Sequence, residues 1–191
     1  MIKGHFEYLE SRKAELEELI LALAAPYQQE LAILQTAPGI SSVFTAIGII
    51  SEIGTNMEAF PSAKHLCSWA GLTPTNNESA GKKKSVRVSK AGCYIKPLLV
   101  QCANAVVTSK KHPEIRNRYL RLKKRRGHKK AIIAIARMLL TALYHMLKNG
   151  ENYNAELYRK SNLPPVDREI TVEQAIIIAR NQGYKIKSAT A

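Results

Sequence analysis

Proline and glycine cut this chain at short intervals, and between the cuts apolar residues recur every three or four positions. The cuts fall at Pro26, Pro38-Gly39, Pro61, Gly71, Pro97, Pro113, Gly127 and Gly150. Proline breaks a helix interior but suits its first turn, and glycine commonly closes a helix end. Such spacing admits helices of ordinary length, and no strand pattern of useful length or internal repeat is visible. The expected fold class is therefore all-α: a long N-terminal coiled-coil-like helix, then a compact helical domain containing a helix-hairpin-helix. The expected division is 1–36 for the coiled-coil or dimerisation helix, 37–150 for the helical domain, and 151–191 for a polar tail ending in a short helix.

Residues 6–35 read as one helix with a heptad seam at Leu9, Leu16, Ile20, Leu23, Tyr27 and Leu34, interrupted by Glu30. Pro26 should kink or split it near Ala25. The seam packs either on the chain's own domain or on another chain. Pro38-Gly39 then separates it from a helix starting near Ser41 or Ser42, with Val43, Ile47, Ile50 and Ile53 along one face. Helix, glycine turn and helix outline a helix-hairpin-helix, whose turn amides, here at Gly39 and Ser41, would face a phosphate; a plain loop fits the same residues. A short helix follows Pro61, with Leu66 and Trp69 expected in the core. Residues 73–92 read as an exposed loop, and a loop of that length within a compact domain is usually functional. Helices are expected from about Tyr94 to Ser109, from Pro113 to Gly127, and over 129–147. The last is apolar nearly all round, so it should be the central buried helix, and Arg137 in its middle needs a partner or a route to solvent. Thr171 with Gln174 resembles a capping box for a final short helix reaching Ala179.

The net charge is +14, and its placement matters more than its size: residues 82–130 hold 17 basic side chains and a single acid, Glu114. Solubilising charge is normally mixed in sign. One-signed charge implies a partner with a dense negative field, for which a nucleic-acid backbone is the first candidate and an anionic membrane surface the second. Cys67, Cys93 and Cys102 form no CxxC pair, so neither a disulfide framework nor a zinc cluster is suggested. The start of the chain lacks a signal-peptide core, and no uninterrupted apolar run reaches membrane-spanning length. A cytoplasmic protein with no membrane partner, nucleoid-associated when bound, is expected.

The acids limit the chemistry. Asp167 is the one aspartate, and between 37 and 150 the acids are Glu52, Glu58, Glu78 and Glu114. An RNase H-like nuclease needs clustered carboxylates on magnesium, which these cannot assemble. No phosphate-binding GxxxxGK[ST] loop occurs. Serine chemistry remains open: Ser79 precedes Lys82, Lys83 and Lys84, whose charges would neutralise a pentavalent phosphorus intermediate. A turn serine bonded to its own backbone fits Ser79 equally, and Ser85 and Ser89 are comparable candidates. Lys82, Lys83, Lys84, Arg87, Lys90, Lys129 and Lys130 are the expected phosphate contacts. Lys123–Arg126 is as basic and also reads as a solvated helix face.

Four segments taken together resemble a known family: PGI through IISEIG (38–54), FPSAKHLCSWAGLTPTNNESAGK (60–82), VSKAGCYIKPLLVQCA (88–103) and RGHKKAIIAIARMLL (126–140). In order and spacing they resemble the C-terminal half of the insertion-sequence 110/116/902 transposases, the bridge-RNA-guided serine recombinases. The resemblance covers about residues 1–150. It implies a serine nucleophile in a motif like SSGGK, onto which ESAGK places Ser79, with Glu78 for the first serine and Ala80 for the first glycine. Ser41 stands where the family's PGIG has its last glycine, and Lys96-Pro97 stand for Leu-Arg in the segment that contains Ser89 and Lys90. The family's N-terminal RuvC-like domain, which carries acidic residues, is not matched. The resemblance thus implies DNA as partner, a structured guide RNA as a possible second one, and homo-oligomer formation through residues 6–35. No cofactor is expected in this chain, magnesium being expected only for the RuvC-like domain. Alone, the chain should bind nucleic acid without recombining it; a non-catalytic helix-hairpin-helix module is the competing reading.

Overall fold

The computed structural model describes residues 2–74, 77–79, 82–85, 87–156 and 175–176, with backbone only for 2, 77–79 and 82–85. Two units are distinguished, 1–153 and 154–191. In the first, α1 (Ile2–Ala24) passes through a single 3₁₀ turn, Ala25–Tyr27, into α2 (Gln28–Gln35). The break falls where Pro26 removes a backbone donor. Then come α3 (Val43–Ile53), α4 (Ala63–Trp69), strands β1 (Asn77–Ser79) and β2 (Lys82–Ser85), α5 (Ile95–Thr108), α6 (Pro113–Arg126) and α7 (His128–Asn149). The fold is all-α with one small antiparallel hairpin attached.

Helix α7 lies at the centre, packed against α2, α4, α5 and α6. Its Ile135, Ala136, Leu140 and Leu143 are fully buried, among Leu34, Leu66, Leu99 and Ile115 from the surrounding helices. Two polar links cross its far end: the Tyr144 hydroxyl donates to the Phe60 carbonyl at 3.1 Å, and the Lys148 ammonium lies 3.4 Å from Glu58. By length and composition α7 would also suit a membrane span, contrary to the sequence expectation. Half of that stretch is buried against its neighbours, as in the core helix of a globular domain.

Several local expectations are corrected. Residues 77–79 and 82–85 are strands rather than loop; the strand sequences Asn-Glu-Ser and Lys-Lys-Lys-Ser hold no apolar residue and so carry no period-two apolar signal. Trp69 is 44% exposed, because the buried face of α4 is Ala63, Leu66 and Cys67; its ring leans on Phe60 at 5.7 Å. The core face of α3 runs through Ala46, Ile49, Ile50 and Ile53, leaving Val43 and Ile47 half-buried. Ser42 occupies the N-cap of α3 in extended backbone, but its side chain makes no capping hydrogen bond. Apart from residues 175 and 176, which are helical, the expected helix over 171–179 lies outside the described residues.

Helix α1 differs from the rest. Phe6, Leu9, Leu16 and Leu23 are all more than half exposed, while Leu31 and Leu34 of α2 are buried in the common core. The N-terminal heptads therefore leave their apolar seam open in the monomer. Replacing Leu139, buried in α7, with alanine leaves a cavity in the core. We expect Leu139→Ala to cost about 2–5 kcal/mol in urea unfolding with native helicity retained.

Candidate nucleic-acid interface

The corner between α6 and α7 gathers six cations. The last turn of α6 is Lys123, Lys124, Arg125 and Arg126, favourably placed at the negative end of a helix dipole. The first turn of α7 has His128, Lys129 and Lys130 and no acid, which is the unfavourable arrangement. The corner is pinned nonetheless. The Tyr119 hydroxyl and His128 Nδ1 share a hydrogen bond at 2.8 Å, with the rings edge-on. With Ala131, Ile132, Ile135 and Ala136 turned into the core, the opposite stripe of α7 presents Lys129, Lys130, Ile133, Ala134 and Arg137.

Facing that stripe is the root of the β1–β2 hairpin. Ser79 pairs with Lys82 in register, so Ser79 holds the last paired position before the turn. Below the strands, Pro74 bridges Val88. The exit from β2 is then locked onto the helices. The Lys96 ammonium donates to the Ser89 carbonyl at 2.6 Å, and the Ser89 hydroxyl accepts from the Ala91 amide at 3.3 Å. Gly92 lies so close to α4 that a Cβ there would meet the Ala70 carbonyl oxygen at 2.3 Å, and at Gly71 a Cβ would meet that of Ala91 at 2.4 Å. Only glycine permits the two backbones to touch in this way.

Stripe and root enclose a cavity of about 740 Å³. Its floor is Leu72, Pro74, Val88, Ile133 and Ala134; its charged residues are Arg87, Arg126, Lys129, Lys130 and Arg137. No acid lines it among the described residues. Three of the expected phosphate contacts, Arg87, Lys129 and Lys130, thus come together although they lie some forty positions apart in the chain. Two residues join them that the sequence left open: Arg126, in the cluster that also read as a solvated face, and Arg137, which reaches solvent through this cavity. The signal for Arg137 was already present, as a lone cation within an apolar helix.

Other expected site residues lie elsewhere. Lys90 is exposed and does not line the cavity; Ser89 is engaged at the hairpin root. Gly39 and Ser41 line a separate cavity of about 340 Å³ beneath the turn between α2 and α3, together with Lys111 and His112. Gly39 (φ +84°) has a packing reason of its own, since a Cβ there would sit 2.5 Å from the Cys102 carbonyl oxygen. The side chains of Ser79, Lys82, Lys83 and Lys84 lie outside the described residues. Burial holds the Cys102 thiol up at about 11, so it stays protonated near neutrality. Glu114, the one acid of the basic block, lies 3.5 Å from His112.

Residues 31–120 match the family described as Transposase IS116/IS110/IS902. The chain carries a transposase domain of this family. It is also 30% identical over 150 residues to a Streptomyces coelicolor protein described as an insertion element IS110 uncharacterized 43.6 kDa protein. That match takes in 78% of this chain and 36% of the relative, so the chain spans about a third of its relative's length. The family match runs from α2 into α6 and so includes the hairpin and its root, while the cationic stripe of α7 lies beyond it.

Among the described residues of this transposase domain, no three His, Cys, Asp or Glu side chains are grouped as metal ligands would be. The donor set among the described residues does not fit a magnesium centre. The Lys96 bond to Ser89, at 2.6 Å, holds the hairpin root. Lys96→Met should speed amide exchange in residues 87–92 while the thermal midpoint of the helical core moves little. Unchanged exchange there would mean the glycine contacts alone fix the root.

Proposed function

We propose that this chain is the DNA-gripping part of a transposase acting in DNA transposition and recombination. Ser79 is its nucleophile, and a separate RuvC-like domain with its magnesium completes the reaction. The observation that carries this reading is the cavity between the hairpin root and α7, lined by five cations and no acid among the described residues. Lysines at the positive end of a helix repel that end and one another, each at a cost of about 0.3–1 kcal/mol. A polyanion converts the cost into binding. The position of Ser79 at the last paired residue before the hairpin turn, with Lys82 as its register partner, supports the rest. Lys82, Lys83, Lys84 and Lys90 extend the grip along the strands and beyond, and Gly39 and Ser41 offer turn amides to a second phosphate.

A non-catalytic helix-hairpin-helix module is the second reading. The α2–turn–α3 arrangement, with Lys111 and His112 beside the turn, favours it. A structured guide RNA would satisfy the same charges as DNA. The open seam of α1 suits homo-oligomer formation through residues 6–35, since contiguous exposed apolar surface marks an interface. The cell cytoplasm, with association to the nucleoid when bound, is the compartment this reading implies.

DNA affinity should fall linearly in log–log form with salt, at a slope of roughly −0.9 per phosphate neutralised. Lys129→Gln with Lys130→Gln should flatten that slope by about 0.9 for each lysine that touches a phosphate. A slope unchanged by the double variant would remove these residues from the grip. For chemistry, the chain is mixed with a RuvC-like partner domain and a suicide DNA substrate. A covalent protein–DNA adduct is expected, lost in Ser79→Ala while affinity is kept. The chain alone should form no adduct, and cleavage by it that depends on Ser79 would overturn the division of labour.

A further inference from the structure

A surface that only grips a duplex needs a row of cations, because the phosphates lie on the outside of the helix. The transposase domain has more than a row. Its cations stand around a hollow whose floor is apolar, and at about 740 Å³ the hollow lies within the roughly 300–1,000 Å³ of small-ligand pockets. Along α7 the sequence of contacts is cation, apolar, cation. Lys129 and Lys130 come first, Ile133 and Ala134 follow, and Arg137 closes the stripe. Eight residues of helix place Lys129 and Arg137 about 12 Å apart along the axis. The matching ligand has charge, then a flat apolar body, then charge again.

Arg137 adds a second argument. Its guanidinium has no carboxylate partner among the described residues, and it borders the hollow two turns inside an apolar helix. A guanidinium is weakly hydrated, planar and able both to fork onto a phosphate and to lie flat on a base. A lysine-only rim would offer point charge without the flat surface.

We propose that this cavity receives one nucleotide unstacked from the bound strand, with sugar and base over the Ile133–Ala134 floor and the flanking phosphates on Lys129, Lys130 and Arg137; this rests on the nucleic-acid reading above. Pro74 and Val88 of the hairpin root continue that apolar floor. Ser79 is carried by the same hairpin, so an unstacked nucleotide seated there exposes its own backbone beside the strand that bears the nucleophile. Unstacking costs least where the duplex is already interrupted, which favours bulged or nicked DNA.

The test uses the full chain and a short duplex carrying a single 2-aminopurine bulge, with anisotropy and 2-aminopurine emission read on the same sample. No aromatic side chain lines the cavity among the described residues, so an extruded base is not quenched by ring stacking. Emission should rise several-fold as anisotropy saturates. At saturating protein, where affinity no longer matters, Ala134→Phe fills the floor and should return emission to that of the free duplex. Ile133→Phe serves the same purpose should Ala134→Phe lose its helical circular dichroism. Saturable binding with flat emission overturns the inference and leaves the DNA-gripping reading standing. An emission rise that persists in the folded floor variants places the unstacked base elsewhere and also overturns it. Absence of any anisotropy change defeats the DNA-gripping reading, and this inference with it. Adenosine 5′-monophosphate alone is the remaining arm. Saturable binding of it that is lost in Ala134→Phe, with duplex emission flat, would make the cavity a free-nucleotide site and not a strand site.

Discussion

Burial of one face of α7 is the constraint on which the rest of this domain depends. Ala131, Ile132, Ile135, Ala136, Leu139, Leu140 and Leu143 turn into a core built by α2, α4, α5 and α6. A helix has only one opposite side, so the residues between these positions must face out together. Lys129, Lys130 and Arg137 share that outward stripe with Ile133 and Ala134. The hydrophobic term that stabilises the fold thereby orients the charge, and loss of the core contacts would scatter the cations as surely as their removal.

The hairpin depends on the same helices at one remove. It has no apolar face of its own in its sequence, and a two-stranded ribbon is marginal in water. It is held from below, by backbone contact between the end of α4 and Gly92, and by the Lys96 ammonium on the Ser89 carbonyl. The proposed nucleophile is thus mounted on a slender element whose root is rigid. The root of that element is fixed against the cavity by the contacts at Gly92 and Lys96.

Part of the charge on this protein works against local stability. Lys129 and Lys130 sit in the first turn of α7, where acids would be favoured. Arg137 stands without a carboxylate among the described residues. Each is a small cost to the free protein, and each is relieved by an anionic partner. The open seam of α1 belongs to the same pattern: an apolar surface left exposed by the monomer, several turns long and continuous with the core at Ala24 and Leu31.

Helix boundaries were legible because they are written in backbone chemistry: Pro26 splits the first helix, Pro113 starts α6, Gly127 ends it, and Gly150 stops α7. The identity of the central helix was legible from its apolar content, and the family from four separated motifs, supported by the match over 31–120. The face of α3, the exposure of Trp69 and the β1–β2 hairpin were not, since each is decided by what packs alongside. The gathering of Arg87 with Lys129, Lys130 and Arg137 belongs to that second group. Local sequence determined that each residue was cationic and which element it rode on. Only tertiary packing brought the hairpin root against α7, because contact between segments forty residues apart is set by complementary surfaces and leaves no periodic trace in either segment.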